Sequence, residues 1–208
     1  MYPEFSVTAF LDALASAAPE PGGGAAAALA GATGAALVSM VANLTIGKAQ
    51  YAAAQREMEQ AREAAETLRA RLTAAIDRDS EAFRQVMKAY GLPRGTDDEK
   101  AARKTAIQQA LKAASSEPAE VVRLCRDVAA WSRVTTEKGN VQAVSDAAVA
   151  ALFADAAAQA AALNVKINLK SITDAAFNEA LWVRVQADLD DIRRVRDDVL
   201  ALTEGRLR

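Results

Sequence analysis

The sequence predicts an all-α fold, an up-and-down multi-helix bundle of antiparallel members joined by short turns, with one long helix among them. Three observations predict it. Alanine is abundant and β-branched runs are short, a composition that favours helix. The five prolines fall near the ends of periodic segments, where they cost a helix least. Over the longest periodic stretch, apolar residues recur in steps of three or four, the spacing of a single helix face. No repeat of fixed period and no linker interrupts the 208 residues. The chain therefore reads as one domain over 1–208, long enough to bury roughly 70% of its unfolded surface.

The first helix is expected from about Pro3 to Ala17, with Phe5, Ala9, Phe10, Ala13 and Leu14 on one face. The turn APEPGGG leads into a second helix that reaches about Ile46. A long helix follows from about Ala49 to Tyr90 and stops at the Gly/Pro signal GLPRGT. Thr96, with Glu99 three residues on, forms a capping box for the next helix, to about Ala114. Pro118 is expected to restart the chain as a separate segment reaching about Thr135. Gly139 and Asn140 break it, a further helix runs to about Leu163, and a last one spans Ile172 to Gly205.

The second helix is unusual in its charge. Between Glu20 and Lys48 lie 27 residues without a single charged side chain, in a chain where 25% of residues are charged. A membrane span has the length, but this stretch is built largely from Ala and Gly, with Ser39, Asn43 and Thr45 and few large apolar residues. A helix surrounded by others in the core explains the composition better, its small residues allowing close approach of neighbours. Three glycines at the start also leave backbone N–H groups accessible to an anion or a carbonyl.

The long helix carries a second signal. Met58, Ala61, Ala65, Leu68, Leu72, Ala75, Asp79, Phe83, Val86 and Tyr90 form one stripe expected to face the core. One of the ten is a carboxylate. Asp77 and Arg78 lie off the stripe and can be solvated, whereas Asp79 is either paired or shifted in pKa by burial.

Composition excludes several classes of function. With no histidine, the chain cannot build a Ser-His-Asp or Cys-His arrangement, and it lacks the commonest metal ligand. Acid–base work must fall to carboxylates, lysine or tyrosine. The single cysteine, Cys125, rules out an internal disulfide framework and reads as a small buried apolar residue. Net charge is −2 with basic residues scattered, so no nucleic-acid partner is expected. The N-terminus lacks a basic region followed by an apolar run, which points to a cytoplasmic protein without membrane attachment.

Three stretches resemble a known family. PGGGAAAALAGATGAALVSMVANLTIGKAQY, DRDSEAFRQVMKAYGLPR and GNVQAVSDAAVAALFADAAAQAAALNVKINLKSITD occur in that order over most of the chain. They are similar to the signature segments of the formiminotransferase-cyclodeaminase C-terminal domain family, which includes stand-alone cyclodeaminases and methenyltetrahydrofolate cyclohydrolases. There are two departures. Ala25 stands where the family usually has serine after the glycines, and the basic run after Ile-Gly is reduced to Lys48.

The resemblance implies an all-helical homodimer acting on a tetrahydrofolate derivative as substrate, with no prosthetic group and no metal. It implies conversion of 5-formiminotetrahydrofolate to 5,10-methenyltetrahydrofolate with release of ammonia. Methenyltetrahydrofolate cyclohydrolysis in the same pocket is the alternative, and a non-catalytic helical scaffold a second one. The family's catalytic aspartate corresponds to Asp79, the residue that periodicity had singled out. The expected binding residues are Gly22, Gly23, Gly24, Asn43, Lys48, Asn140, Asp146, Asn164 and Asn168. Asn164 and Asn168, four apart, would share one helix face suited to a pterin, or would serve as caps or interhelical bonds. Asp146 would accept from the pterin amino group or form a local ion pair. Lys48 would pair with the glutamate carboxylates of the substrate, or be merely solvated. Trp131 and Trp182 read as core or interface residues.

Overall fold

Ser6 opens the first helix, α1 (Val7–Leu14), by accepting a hydrogen bond from the Ala9 N–H at 3.1 Å. The computed structural model describes residues 1–207. The helix is shorter than expected at both ends; Tyr2–Glu4 form a separate 3₁₀ turn, and Phe5 lies outside the helix and exposed. Helix α2 (Gly23–Asn43) ends three residues early, and the chain then turns at Gly47, whose φ of 79° suits glycine. A short 3₁₀ segment, Ala49–Ala54, precedes α3 (Gln55–Tyr90).

The next helix departs most from expectation. α4 runs unbroken from Asp97 to Lys138 and carries the buried Pro118 in its interior, so that it, not α3, is the longest helix. Proline removes the N–H that would have bonded the carbonyl four residues back, here that of Ala114. The Asn168 amide supplies the missing donor, at 3.0 Å from the Ala114 oxygen. The capping box at Thr96 and Glu99 is present. α5 (Val144–Leu169) extends six residues beyond its expected end, and α6 (Ala175–Leu207) begins after Asp174, whose carboxylate accepts from the Phe177 N–H at 3.0 Å.

α2 packs against α3, α4 and α5, and α6 closes the bundle against α4 and α5. α2 and α3 run antiparallel, Gly24 lying beside Asp79 and Ser39 donating to Glu66. α2 and α5 are also antiparallel and very close: a Cβ on Gly34 would meet the Ala150 carbonyl oxygen at 3.1 Å. Cys125 sits in this core, fully buried, its thiol pushed up to about 12 by desolvation. Trp131 and Trp182 pack against the same core, half-buried.

Two expectations need correction. The core stripe of α3 holds from Met58 to Ala75 and breaks up beyond Asp79: Phe83 and Tyr90 are exposed, Val86 is half-buried against a second, smaller cluster, and Ala89 is buried. α3 continues past the start of α2 there, so no α2 side chain covers that face. Nor is α2 surrounded on all sides. Leu29, Met40 and Leu44 are exposed along one edge of it, with Thr33 and Ala36 between them. On α5 a matching exposed edge carries Val149, Leu152, Phe153, Leu163 and Ile167. α2 and α5 are both long and apolar enough to cross a membrane, yet each buries more than half of its apolar window inside the bundle. Their composition reflects a core face on one side and an uncharged outer face on the other.

Candidate functional site

The start of α2 gathers the carboxylate that periodicity had singled out. Asp79 projects from α3 onto the first turn of α2, so close that a Cβ on Gly24 would lie 2.7 Å from its Oδ2. Only glycine admits this approach. The free N–H groups of the first helical turn and the helix dipole both favour negative charge at this point.

The carboxyl group nevertheless holds its proton to higher pH than an ordinary aspartate. Burial is the main cause; the neighbouring Ala25 amide pulls the other way, and the negative charges of Glu117 and Glu20 add to the rise. Each of those glutamates is itself tied to an arginine of α3. Glu117 accepts from Arg78 at 2.8 Å and Glu20 from Arg84 at 2.6 Å. A half-buried carboxyl with raised proton affinity can remove a proton and return it.

Asn164 lies beside Gly23 at the same helix start, its amide 3.7 Å from where a Gly23 Cβ would stand. Its own Nδ2 donates to the Ala160 carbonyl at 3.0 Å, which leaves the side-chain oxygen facing outward from that bond. Asn168 follows one turn on, but its Nδ2 is committed to Ala114. Gly22, Gly23, Gly24, Asp79, Asn164 and Asn168 therefore share one end of the bundle.

Asn43, Lys48, Asn140 and Asp146 occupy the opposite end. α2 has 21 residues, so its two ends stand about 30 Å apart at 1.5 Å per residue. The Asn140 side chain is engaged there at both polar atoms: Nδ2 donates to the Leu44 carbonyl at 3.2 Å, and Oδ1 accepts from the Gln142 N–H and the Tyr51 hydroxyl. Its backbone N–H donates to Thr45 Oγ1 at 2.8 Å. Asn140 thus ties the end of α2 to the α4–α5 junction. Asn43 and Lys48 are exposed, and Lys48 makes no ion pair with any described residue.

Sequence reasoning missed Glu20 and Glu117. Both look like ordinary surface acids, and only the packing of α4 and of the Glu20 turn against α3 brings them to Asp79. Among the described residues no cluster of acids, cysteine and histidine suits a metal ion.

A family profile described as Formiminotransferase-cyclodeaminase matches residues 6–187. The methenyltetrahydrofolate cyclohydrolase of Methylorubrum extorquens is 53% identical over 174 residues, 84% of this chain and 84% of that protein. The formimidoyltransferase-cyclodeaminase of Gallus gallus is 34% identical over 198 residues; that is 95% of this chain but 37% of the length of that protein. The crystal structure of formiminotetrahydrofolate cyclodeaminase from Thermotoga maritima matches with a TM-score of 0.90 at 35% identity, covering 100% of both chains.

Proposed function

The chain belongs to the formiminotransferase-cyclodeaminase family, and on that premise we propose that it is an enzyme acting on the one-carbon bridge of tetrahydrofolate, with Asp79 as general acid and base. The observation that carries the proposal is the Asp79 carboxyl seated on the glycine start of α2 with its proton affinity raised. Hydrolysis of 5,10-methenyltetrahydrofolate is placed first, because the relative of that name is 53% identical over 84% of both chains. Water adds to the bridging carbon and gives one proton to Asp79, leaving a hydroxyl on that carbon; the bond to N5 then breaks as Asp79 returns its proton to N5 and the hydroxyl loses its proton to solvent, giving the 10-formyl product and one net proton.

Cyclodeamination of 5-formiminotetrahydrofolate is the second reading, favoured by the full-length match to the Thermotoga maritima cyclodeaminase. There N10 attacks the formimino carbon and yields its proton to Asp79, which protonates the departing ammonia. Both reactions ask the same of one carboxyl. The substrate is a folate derivative in either case, held at the end of the bundle that carries Gly22–Gly24 and Asn164.

The chain is proposed to work as a homodimer. The uncharged outer edges of α2 and α5 form a face about 30 Å long and two helices wide, on the order of 600 Å² per copy. Two copies would bury about 1,200 Å² together, enough for a specific interface.

An absorbance assay tests the function directly. Purified protein is offered 5,10-methenyltetrahydrofolate in one cuvette and 5-formiminotetrahydrofolate in another. Accelerated loss of the methenyl chromophore in the first marks a cyclohydrolase, and its appearance with ammonia in the second marks a cyclodeaminase. Silence in both would sink the proposal.

A further inference from the structure

Resting on that reading, we propose that the aminobenzoyl-glutamate arm of the substrate lies along the end of α3 beyond Asp79, and that Arg94 and Lys104 in the basic cavity at the α3–α4 turn hold its carboxylates. Lys48, the cation expected to meet those carboxylates, stands at the opposite end of α2, about 30 Å from the glycine start. Within one chain the arm has to find its cations nearer Asp79.

The path begins at the carboxyl itself. Phe83 and Tyr90 continue the α3 stripe to which Asp79 belongs. Both are exposed because α3 runs on past the start of α2, and Met87 is exposed beside them. Large apolar side chains on an open helix face suit the flat benzoyl ring. Charge sets the direction of the arm. Glu20 and Glu117 put negative charge around Asp79, so the carboxylates of the substrate are favoured away from it.

At Tyr90 the strip meets cations. Arg103 reaches back from α4 and donates to the Tyr90 carbonyl at 2.9 Å, its guanidinium 5.8 Å from the centre of the Tyr90 ring. A cavity of about 300 Å³ opens there, lined by Arg94, Lys100, Arg103, Lys104, Ile107 and Gln108, with no acid on its wall. Of the neighbouring acids, Asp97 accepts from Lys100 at 2.8 Å, and Glu99 accepts from the backbone N–H groups of Gly95 and Thr96. Arg94 and Lys104 make no ion pair with any described residue. Farther along α4, by contrast, Arg123, Arg126 and Arg133 are each tied to a carboxylate.

The lengths agree. Asp79 and Tyr90 are eleven residues apart on α3, about 16 Å. An aminobenzoyl-glutamate arm is roughly 12 Å long at ordinary bond lengths, and long arginine and lysine side chains cover the rest. Two unpaired cations then answer the two carboxylates of the glutamate.

The test compares two substrates, 5,10-methenyltetrahydrofolate and the 5,10-methenyltetrahydropteroate that lacks the glutamate. Wild type should prefer the first, and the Arg94→Gln, Lys104→Gln double variant should lose about tenfold of that preference in kcat/KM. Phe83→Ala should raise KM for both substrates alike, because both carry the benzoyl ring. A preference that the double variant leaves unchanged, or a Phe83→Ala enzyme with unaltered KM for both, overturns the proposal.

Binding separates the arm site from the reaction. The methyl group of 5-methyltetrahydrofolate has no leaving group and cannot turn over. Calorimetry with this ligand should give a Kd about tenfold weaker for the double variant than for wild type. Such a difference in a protein silent on both folates of the absorbance assay would refute the proposed reaction and leave the arm site standing. Turnover with a Kd that the double variant does not move would do the reverse.

Discussion

The Asp79 carboxylate occupies the space over Gly24 where any other residue would place its Cβ. This contact joins the two features that stood out separately in the sequence, a glycine-opened helix and a carboxyl on an apolar stripe. It predicts an asymmetry between adjacent glycines. Gly24→Ala should push Asp79 away and lower kcat by about 10² or more, as a displacement near 1 Å does. Gly23→Ala should be mild, since its new methyl would stand 3.7 Å from the Asn164 amide, an ordinary contact. Steady-state kinetics on the two variants decide the matter; equal losses would mean that the contact has no part in catalysis.

Replacing the carboxyl itself separates function from stability. Asp79→Asn should lower kcat by roughly 10²–10⁴, the range for loss of a general acid–base group, while the fold remains intact. Its pKa is raised in the folded chain, mainly by burial. The folded state therefore binds the proton more tightly than the unfolded one, and stability falls as pH rises from the unfolded pKa through the folded one. Asp79→Asn escapes that cost. Its melting temperature should exceed wild type at pH 7 to 8, and the difference should shrink as pH falls toward 4. Thermal melts over that pH range check the sign.

The flanking acids can be read in the pH profile. Glu117 lies near enough to Asp79 to raise its proton affinity, and Arg78 is its partner. Glu117→Gln removes that negative charge and leaves the Arg78 guanidinium without its carboxylate. Asp79 should then ionise at lower pH. In the proposed hydrolysis, where Asp79 would begin as the base, the rising limb of kcat/KM should move toward acid. An unmoved limb would mean that a different group sets it.

How much of this was legible in the sequence depended on whether the signal was local. Asp79 was legible because a charge on an otherwise apolar helical stripe stands out at a spacing of three and four. The continuation of that stripe through Phe83 and Tyr90 was not, because periodicity cannot tell where the neighbouring helix begins. The lack of charge in α2 was plain, but burial within the chain and burial by a second copy leave the same mark in composition. Glu20 and Glu117 carry no pattern at all; they reach Asp79 only through packing. The unbroken α4 is the same kind of case, since Pro118 reads as a stop until a donor from another helix is known.

That donor gives the last prediction. Asn168 was expected to bind substrate or to bond between helices, and its Nδ2 does the second, satisfying the Ala114 carbonyl that Pro118 leaves open. Asn168→Ala would leave a partly buried carbonyl without its partner, a loss of about 1–3 kcal/mol. In a chain of 208 residues that amounts to a fall in melting temperature of several degrees, at about 2–4 °C per kcal/mol. Pro118→Ala restores the helical N–H and with it the bond to Ala114. In a Pro118→Ala background the Asn168→Ala substitution should therefore cost far less, a coupling that a double-mutant cycle measures. If Asn168 serves substrate instead, the cycle will show no coupling, and Asn168→Ala will raise KM at unchanged melting temperature.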